Sequence, residues 1–180
     1  MINRRMMTLT VNDRARSVEV ASNETLLETL RGLGAVEVKC GCEKGDCGAC
    51  AVLLDGMAVD SCLTLTGTVG DRTVTTVKGL GDAEAPHPLQ SAFADRGAAQ
   101  CGYCTPGMII ATQSMLTNDT ADPDEADIRL GLSGNLCRCT GYTKIYDAVL
   151  EGAKAMRDAE AAPAGAGTGT VATPSMEAVK

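Results

Sequence analysis

The chain has 180 residues, a formal net charge of −7, 44% hydrophobic residues and nine cysteines, with three tyrosines, one phenylalanine and no tryptophan. An acidic chain with no basic block and few rings to stack on bases is not built to hold nucleic acid, and no apolar run approaches the roughly 20 residues that a membrane-crossing helix needs. It is long and aliphatic enough to bury a core without disulfide staples, and the odd cysteine count also argues against a stapled secreted scaffold.

Arg4 and Arg5 raise the question of twin-arginine export, but the following TLTVNDRARSVEV alternates like a strand and carries Asp13, Arg14 and Arg16. No apolar signal core follows, so the chain reads as cytoplasmic, where thiols stay reduced. Residues 7–11 and 15–20 alternate about Asn12 and Asp13, which predicts a β-hairpin. Ser22 is a candidate N-cap for a short helix with Leu26, Leu27, Leu30 and Leu33 at helical spacing, ended by Gly34. A cysteine-rich loop comes next. Residues 51–54 and 57–62 then form a second hairpin about Asp55 and Gly56, and residues 73–77 read as a last strand. The sum is a small mixed sheet, ββαββ followed by that last strand.

The loop, in KCGCEKGDCGACAVLLDGMAVDSC, holds Cys42, Cys47 and Cys50 in a CxxxxCxxC run, with Cys62 after the hairpin. This is the plant-type [2Fe-2S] spacing. Three thiolates so close in sequence wrap one cluster only if the backbone bends sharply, and Gly41, Gly45 and Gly48 supply residues free to take positive φ.

From about residue 80 the pattern turns helical. Helices are predicted over 88–95 and 106–116, then over a segment opened by Asp122, Pro123 and Glu125 and running through Leu132, then over 143–159 with Ile145, Val149, Ala153 and Met156 on one face. Methionines at helical spacing here belong to a core rather than to a ligand set. Between these helices lie QCGYCTPGMI and GNLCRCTGY, giving a CxxC pair, Cys101 and Cys104, and a CxC pair, Cys137 and Cys139. A CxxC at a helix N-terminus aims both sulfurs at one spot where unpaired amides favour thiolate charge, and Gly134 and Gly141 can shape the CxC turn. Four thiolates of this kind suit either a cluster or a tetrahedral zinc ion; the residues alone leave both open. Cys40, the ninth cysteine, is a spectator in this reading. His87, in APHPLQ, is the only histidine and has no clustered carboxylates around it, so it reads as a solvated or capping residue rather than a general base. Residues 161–180, rich in Ala, Gly, Thr and Pro without periodicity, read as a flexible tail.

The three motifs GCEKGDCGACAVLLDG, QCGYCTPGMI and GNLCRCTGY, in that order, resemble the small iron–sulfur subunit, or matching N-terminal region, of the xanthine dehydrogenase and carbon monoxide dehydrogenase family of molybdenum hydroxylases, over residues 7–156. The resemblance implies an α+β fold: a β-grasp, plant-type ferredoxin-like domain over 1–79, then a four-helix bundle over 80–160. It implies one [2Fe-2S] cluster in each, with Cys42, Cys47, Cys50 and Cys62 facing FAD and Cys101, Cys104, Cys137 and Cys139 near molybdenum. Gln100 and Cys139 match the family's contacts to the pterin. The chain would pass electrons from a molybdopterin-binding large subunit to an FAD-binding medium subunit, in a heterotrimer or a dimer of heterotrimers, with no substrate chemistry of its own. VKCGC, residues 38–42, resembles members acting on purines or nicotinate more than carbon monoxide dehydrogenases, while Ala51 stands where threonine is common. A free-standing ferredoxin-like carrier and a zinc-bound structural module are the alternatives.

Overall fold

Alternating side chains and a two-residue turn build the first hairpin. β1 (Arg4–Val11) and β2 (Arg14–Ala21) pair antiparallel from Arg4↔Ala21 to Val11↔Arg14, and Asn12 and Asp13 turn with φ of 48° and 60°, as a type I′ turn requires. The structure, a computed structural model, describes residues 3–161. Arg4 and Arg5 therefore belong to a strand. The expected tail lies outside the described residues from residue 162 onward, and Ala161 is the last residue of a helix.

Helix α1 (Leu26–Gly32) is capped by Thr25, not by Ser22. The Ser22 amide still bonds the Asn3 carbonyl at the end of the hairpin, while Thr25 has Glu28 three residues on and forms a reciprocal capping box with it. α1 buries Leu26, Leu27 and Leu30 against Leu9, Val20, Val52 and Val74, the first of two hydrophobic cores.

β3 (Ala51–Leu54) and β4 (Met57–Asp60) pair about Asp55 and Gly56. β4 stops two residues short of the expected end because Ser61, fully buried, turns to donate its hydroxyl to the Cys50 carbonyl at 2.7 Å. β5 (Thr73–Thr75) likewise ends before Val77. Asn12 accepts the Thr76 amide at 2.8 Å, and the chain bends into α2 (Val77–Leu80), a helix the sequence did not suggest. The sheet order is β2-β1-β5-β3-β4, with β1 and β5 parallel and the other pairs antiparallel.

α3 (Pro88–Asp95), α4 (Thr105–Asn118), α5 (Glu125–Gly131) and α6 (Thr143–Ala161) surround the second core, built from Leu89, Phe93, Met108, Ile128, Ile145 and Val149. α5 is capped by Asp124 rather than Asp122, because Asp124 pairs reciprocally with Asp127. Together, sheet and helices make an α+β fold. β3 is buried on both sides: Val52 and Leu54 point into the first core, while Ala51 and Leu53 meet Ile110 of α4. That seam sets α4, and with it the second cysteine group, against the sheet that carries the first.

Candidate metal centres

All nine cysteines are free thiols. The first four come from a loop without regular structure and from the two outer ends of the β3–β4 hairpin. Cys50 precedes β3 and Cys62 follows β4, so the antiparallel register Ala51↔Asp60 brings them side by side, and both are buried. Cys42 and Cys47 are half-buried in the loop. The sulfurs stand in two pairs, Cys42 with Cys47 and Cys50 with Cys62, thiol against thiol.

Backbone geometry supports charge at this loop. The amides of Lys44 and Asp46 donate to Cys42 Sγ at 3.4 and 3.3 Å, and the Lys44 amide above all lowers the Cys42 thiol to about 7. Burial pushes Cys50 the other way, up to about 12. Cys40 turns aside to Glu43, donating to its carboxylate at 3.1 Å, which raises its pKa. Of the loop glycines, Gly45 and Gly48 take positive φ as expected. Gly41 does not; it packs closely instead, since a Cβ there would lie 2.6 Å from Cys47 Sγ and that side chain would have to shift.

The second four lie at helix ends. Cys104 is the N-cap of α4 and its carbonyl receives the Met108 amide, while Cys101 precedes the helix and is exposed. Cys137 and Cys139 sit in the α5–α6 connection. Tyr142 shapes that loop, receiving the Cys137 amide at 2.8 Å and donating its hydroxyl to the Asn135 carbonyl at 3.0 Å. Here too the sulfurs pair, Cys104 with Cys137 and Cys101 with Cys139. Burial pushes the Cys104 thiol up to about 12. Burial also raises Cys137, but the Thr140 hydroxyl at 3.1 Å and amide at 3.5 Å outweigh it and leave that thiol below its ordinary value. Gly141 has positive φ in this turn; Gly134, expected beside it, does not, and its carbonyl instead packs against Gly48.

Among the described residues, no three His, Cys, Asp or Glu side chains converge on the position of a single ion. The arrangement is pairs of sulfurs, two pairs in each loop system. The two systems touch: the Leu136 amide donates to the Cys47 carbonyl at 3.0 Å, Asn135 Nδ2 donates to the Gly48 carbonyl at 3.3 Å, and the Tyr103 hydroxyl donates to the Cys40 carbonyl at 2.5 Å. Tyr142, Thr140, Asn135 and Tyr103 went unnoticed in the sequence, although each is a polar or aromatic residue within four positions of a motif cysteine. Gln100 and Cys139 are both exposed. His87 is a helix cap, its Nδ1 accepting the Leu89 amide at 3.3 Å.

Residues 9–74 match a family described as a 2Fe-2S iron-sulfur cluster binding domain, and residues 76–150 match a [2Fe-2S] binding domain. The chain is 43% identical over 149 residues to the nicotinate dehydrogenase small FeS subunit of Eubacterium barkeri, covering 82% of this chain and 94% of that protein. It is 43% identical over 143 residues to the xanthine dehydrogenase iron-sulfur-binding subunit of Escherichia coli O157:H7, covering 79% and 90%. The crystal structure of quinoline 2-oxidoreductase from Pseudomonas putida 86 superposes with a TM-score of 0.81 at 38% identity, over 87% of this chain and 98% of that one. The chain is thus an iron–sulfur protein with two [2Fe-2S]-binding domains in tandem. It belongs to the [2Fe-2S] subunits of the molybdenum hydroxylase family.

Proposed function

We propose that this chain is the electron-transfer subunit of a molybdenum-containing hydroxylase, with Cys42, Cys47, Cys50 and Cys62 holding one [2Fe-2S] cluster and Cys101, Cys104, Cys137 and Cys139 holding a second. The observation that carries the reading is the pairing of sulfurs, Cys42 with Cys47, Cys50 with Cys62, Cys104 with Cys137 and Cys101 with Cys139. A two-iron cluster asks for two thiolates at each iron, whereas zinc asks for four around one point. Thiolate is also the soft ligand such clusters use. When bound, each cluster takes up and releases one electron.

The chain's own residues prepare the sites for that charge. Amides of Lys44 and Asp46 at Cys42, and the hydroxyl and amide of Thr140 at Cys137, offset negative charge on sulfur and so favour the reduced form. Residues 1–79 form the β-grasp half and 80–160 the four-helix half in this reading. The Cys101 group faces the molybdenum side, where exposed Gln100 and Cys139 meet the pterin of a large subunit, and the Cys42 group faces FAD on a medium subunit. A heterotrimer, alone or doubled, follows from those two contacts. No described helix is long and apolar enough to cross a membrane, and a cytoplasmic setting fits the free thiols. The substrate class we favour is an N-heteroaromatic such as a purine or a nicotinate-like compound. Relatives named for nicotinate, xanthine and nicotine support it, although aldehyde oxidoreductases match as well.

The test is Cys104→Ser in the assembled complex. Iron should fall from about four to about two per chain, and reduction of flavin-side acceptors by substrate should stop. Full turnover with such acceptors in an intact Cys104→Ser complex would overturn the route, and zinc without acid-labile sulfide in the wild type would overturn the cluster assignment.

A further inference from the structure

Tyr103 lies between the two cysteines of the CxxC, yet its hydroxyl reaches out of that loop to the other one. It donates to the Cys40 carbonyl at 2.5 Å, at the short end of the O–H···O range. The side chain is 48% exposed, so this bond does not simply satisfy a buried hydroxyl. The carbonyl it meets belongs to the peptide unit shared with Gly41. Gly41 is the residue pressed against Cys47, where even a Cβ would come within 2.6 Å of Sγ.

We infer that the Tyr103 hydroxyl is a positioning group that raises the reduction potential of the centre held by Cys42, Cys47, Cys50 and Cys62, acting from within the loop of the other centre. A hydrogen bond donated to an amide oxygen draws electron density toward that oxygen and leaves the nitrogen end of the same peptide more positive. Gly41 packs against Cys47, a Cβ there lying 2.6 Å from Sγ, so the polarised peptide stands beside the sulfur cage, where it stabilises added negative charge and favours the reduced form. The other bonds between the loops, Leu136 amide to Cys47 carbonyl and Asn135 Nδ2 to Gly48 carbonyl, do not involve Tyr103. They hold the loops together when the hydroxyl is removed, which makes the tyrosine a tuning element separable from docking.

The inference rests on the cluster assignment above, and the experiment separates the two. In the assembled wild-type complex, iron and sulfide analysis with spectroscopically monitored redox titration must first resolve two [2Fe-2S] centres; if it does not, the cluster assignment itself fails. Tyr103→Phe then keeps the ring and deletes only the donor. Its iron content should equal that of the wild type, and the potential of the Cys42 centre should fall by about threefold in the reduction equilibrium, close to 30 mV at 59 mV per tenfold for one electron. The Cys101 centre should shift less. A fluorinated tyrosine introduced at position 103, a stronger donor, should move the Cys42 centre in the opposite direction, which guards against a Phe variant that assembles poorly. An unmoved Cys42 centre in both variants, or equal shifts at both centres, would overturn the inference.

Discussion

His87 shows what one titratable residue does in this chain. Its Nδ1 accepts the Leu89 amide, and Gln90 returns the favour to the His87 amide at 2.8 Å, so the cap requires the neutral ring with its proton on Nε2. Burial lowers its pKa from 6.5. Above that value both folded and unfolded chains are neutral here, and the cap contributes in full. As pH falls, the unfolded chain binds the proton first, so stability is lost from about pH 6.5 down to the folded pKa and levels off below it. His87→Asn keeps a good N-cap without the titration. Urea midpoints at pH 7.5 and 5.5 should therefore differ less in the Asn variant than in the wild type; equal losses would assign the dependence to other groups. This cap was legible in APHPLQ, because a histidine before a proline that opens an amphipathic helix has few other tasks. The Ser22 cap was misplaced by three residues, since only the capping box at Thr25 and Glu28 decides between two good candidates.

At the scale of elements, the seat of α4 on the first cysteine loop depends on a missing side chain. A Cβ at Gly107 would lie 2.1 Å from the Gly48 carbonyl oxygen, which is backbone and cannot swing away. Gly107→Ala should thus push helix and loop apart and cost about 1–3 kcal/mol, seen as a lower melting temperature of the holo complex by about 2–4 °C per kcal/mol. Gly134→Ala, with nothing within 4 Å and no positive φ, is the matched control and should melt with the wild type. Hairpins and the long helices were readable because turn residues and apolar periodicity act locally. The early end of β4 and the presence of α2 were not, because Ser61 answers to the Cys50 carbonyl and Thr76 to Asn12, partners distant in sequence.

The whole molecule is coupled through the seam between its two cores. Ile110 is fully buried against Ala51 and Leu53 of β3, with Val77 and Leu80 alongside. Ile110→Ala should cost roughly 2–5 kcal/mol, and because the loss falls between the cores, it should also uncouple them. Calorimetry should show a single transition in the wild type resolving toward two in the variant. A single transition that merely moves down would place the coupling elsewhere, for example in the Leu136–Cys47 and Tyr103–Cys40 contacts between the loops.

Cysteine spacing by itself marked out two groups of four thiols, because CxxxxCxxC, CxxC and CxC place donors within a loop's reach of one another whatever surrounds them, while the choice between cluster and zinc for the second group stayed open in the spacing. The hairpins, the long helices and the core role of the methionines followed from local pattern in the same way, with Met108 fully buried. Tertiary structure alone decided which thiol faces which, how closely Gly41 packs on Cys47, and that the two cysteine loops share hydrogen bonds. Those facts depend on α4 packing against β3, which joins segments tens of residues apart, and no local periodicity records a contact of that range.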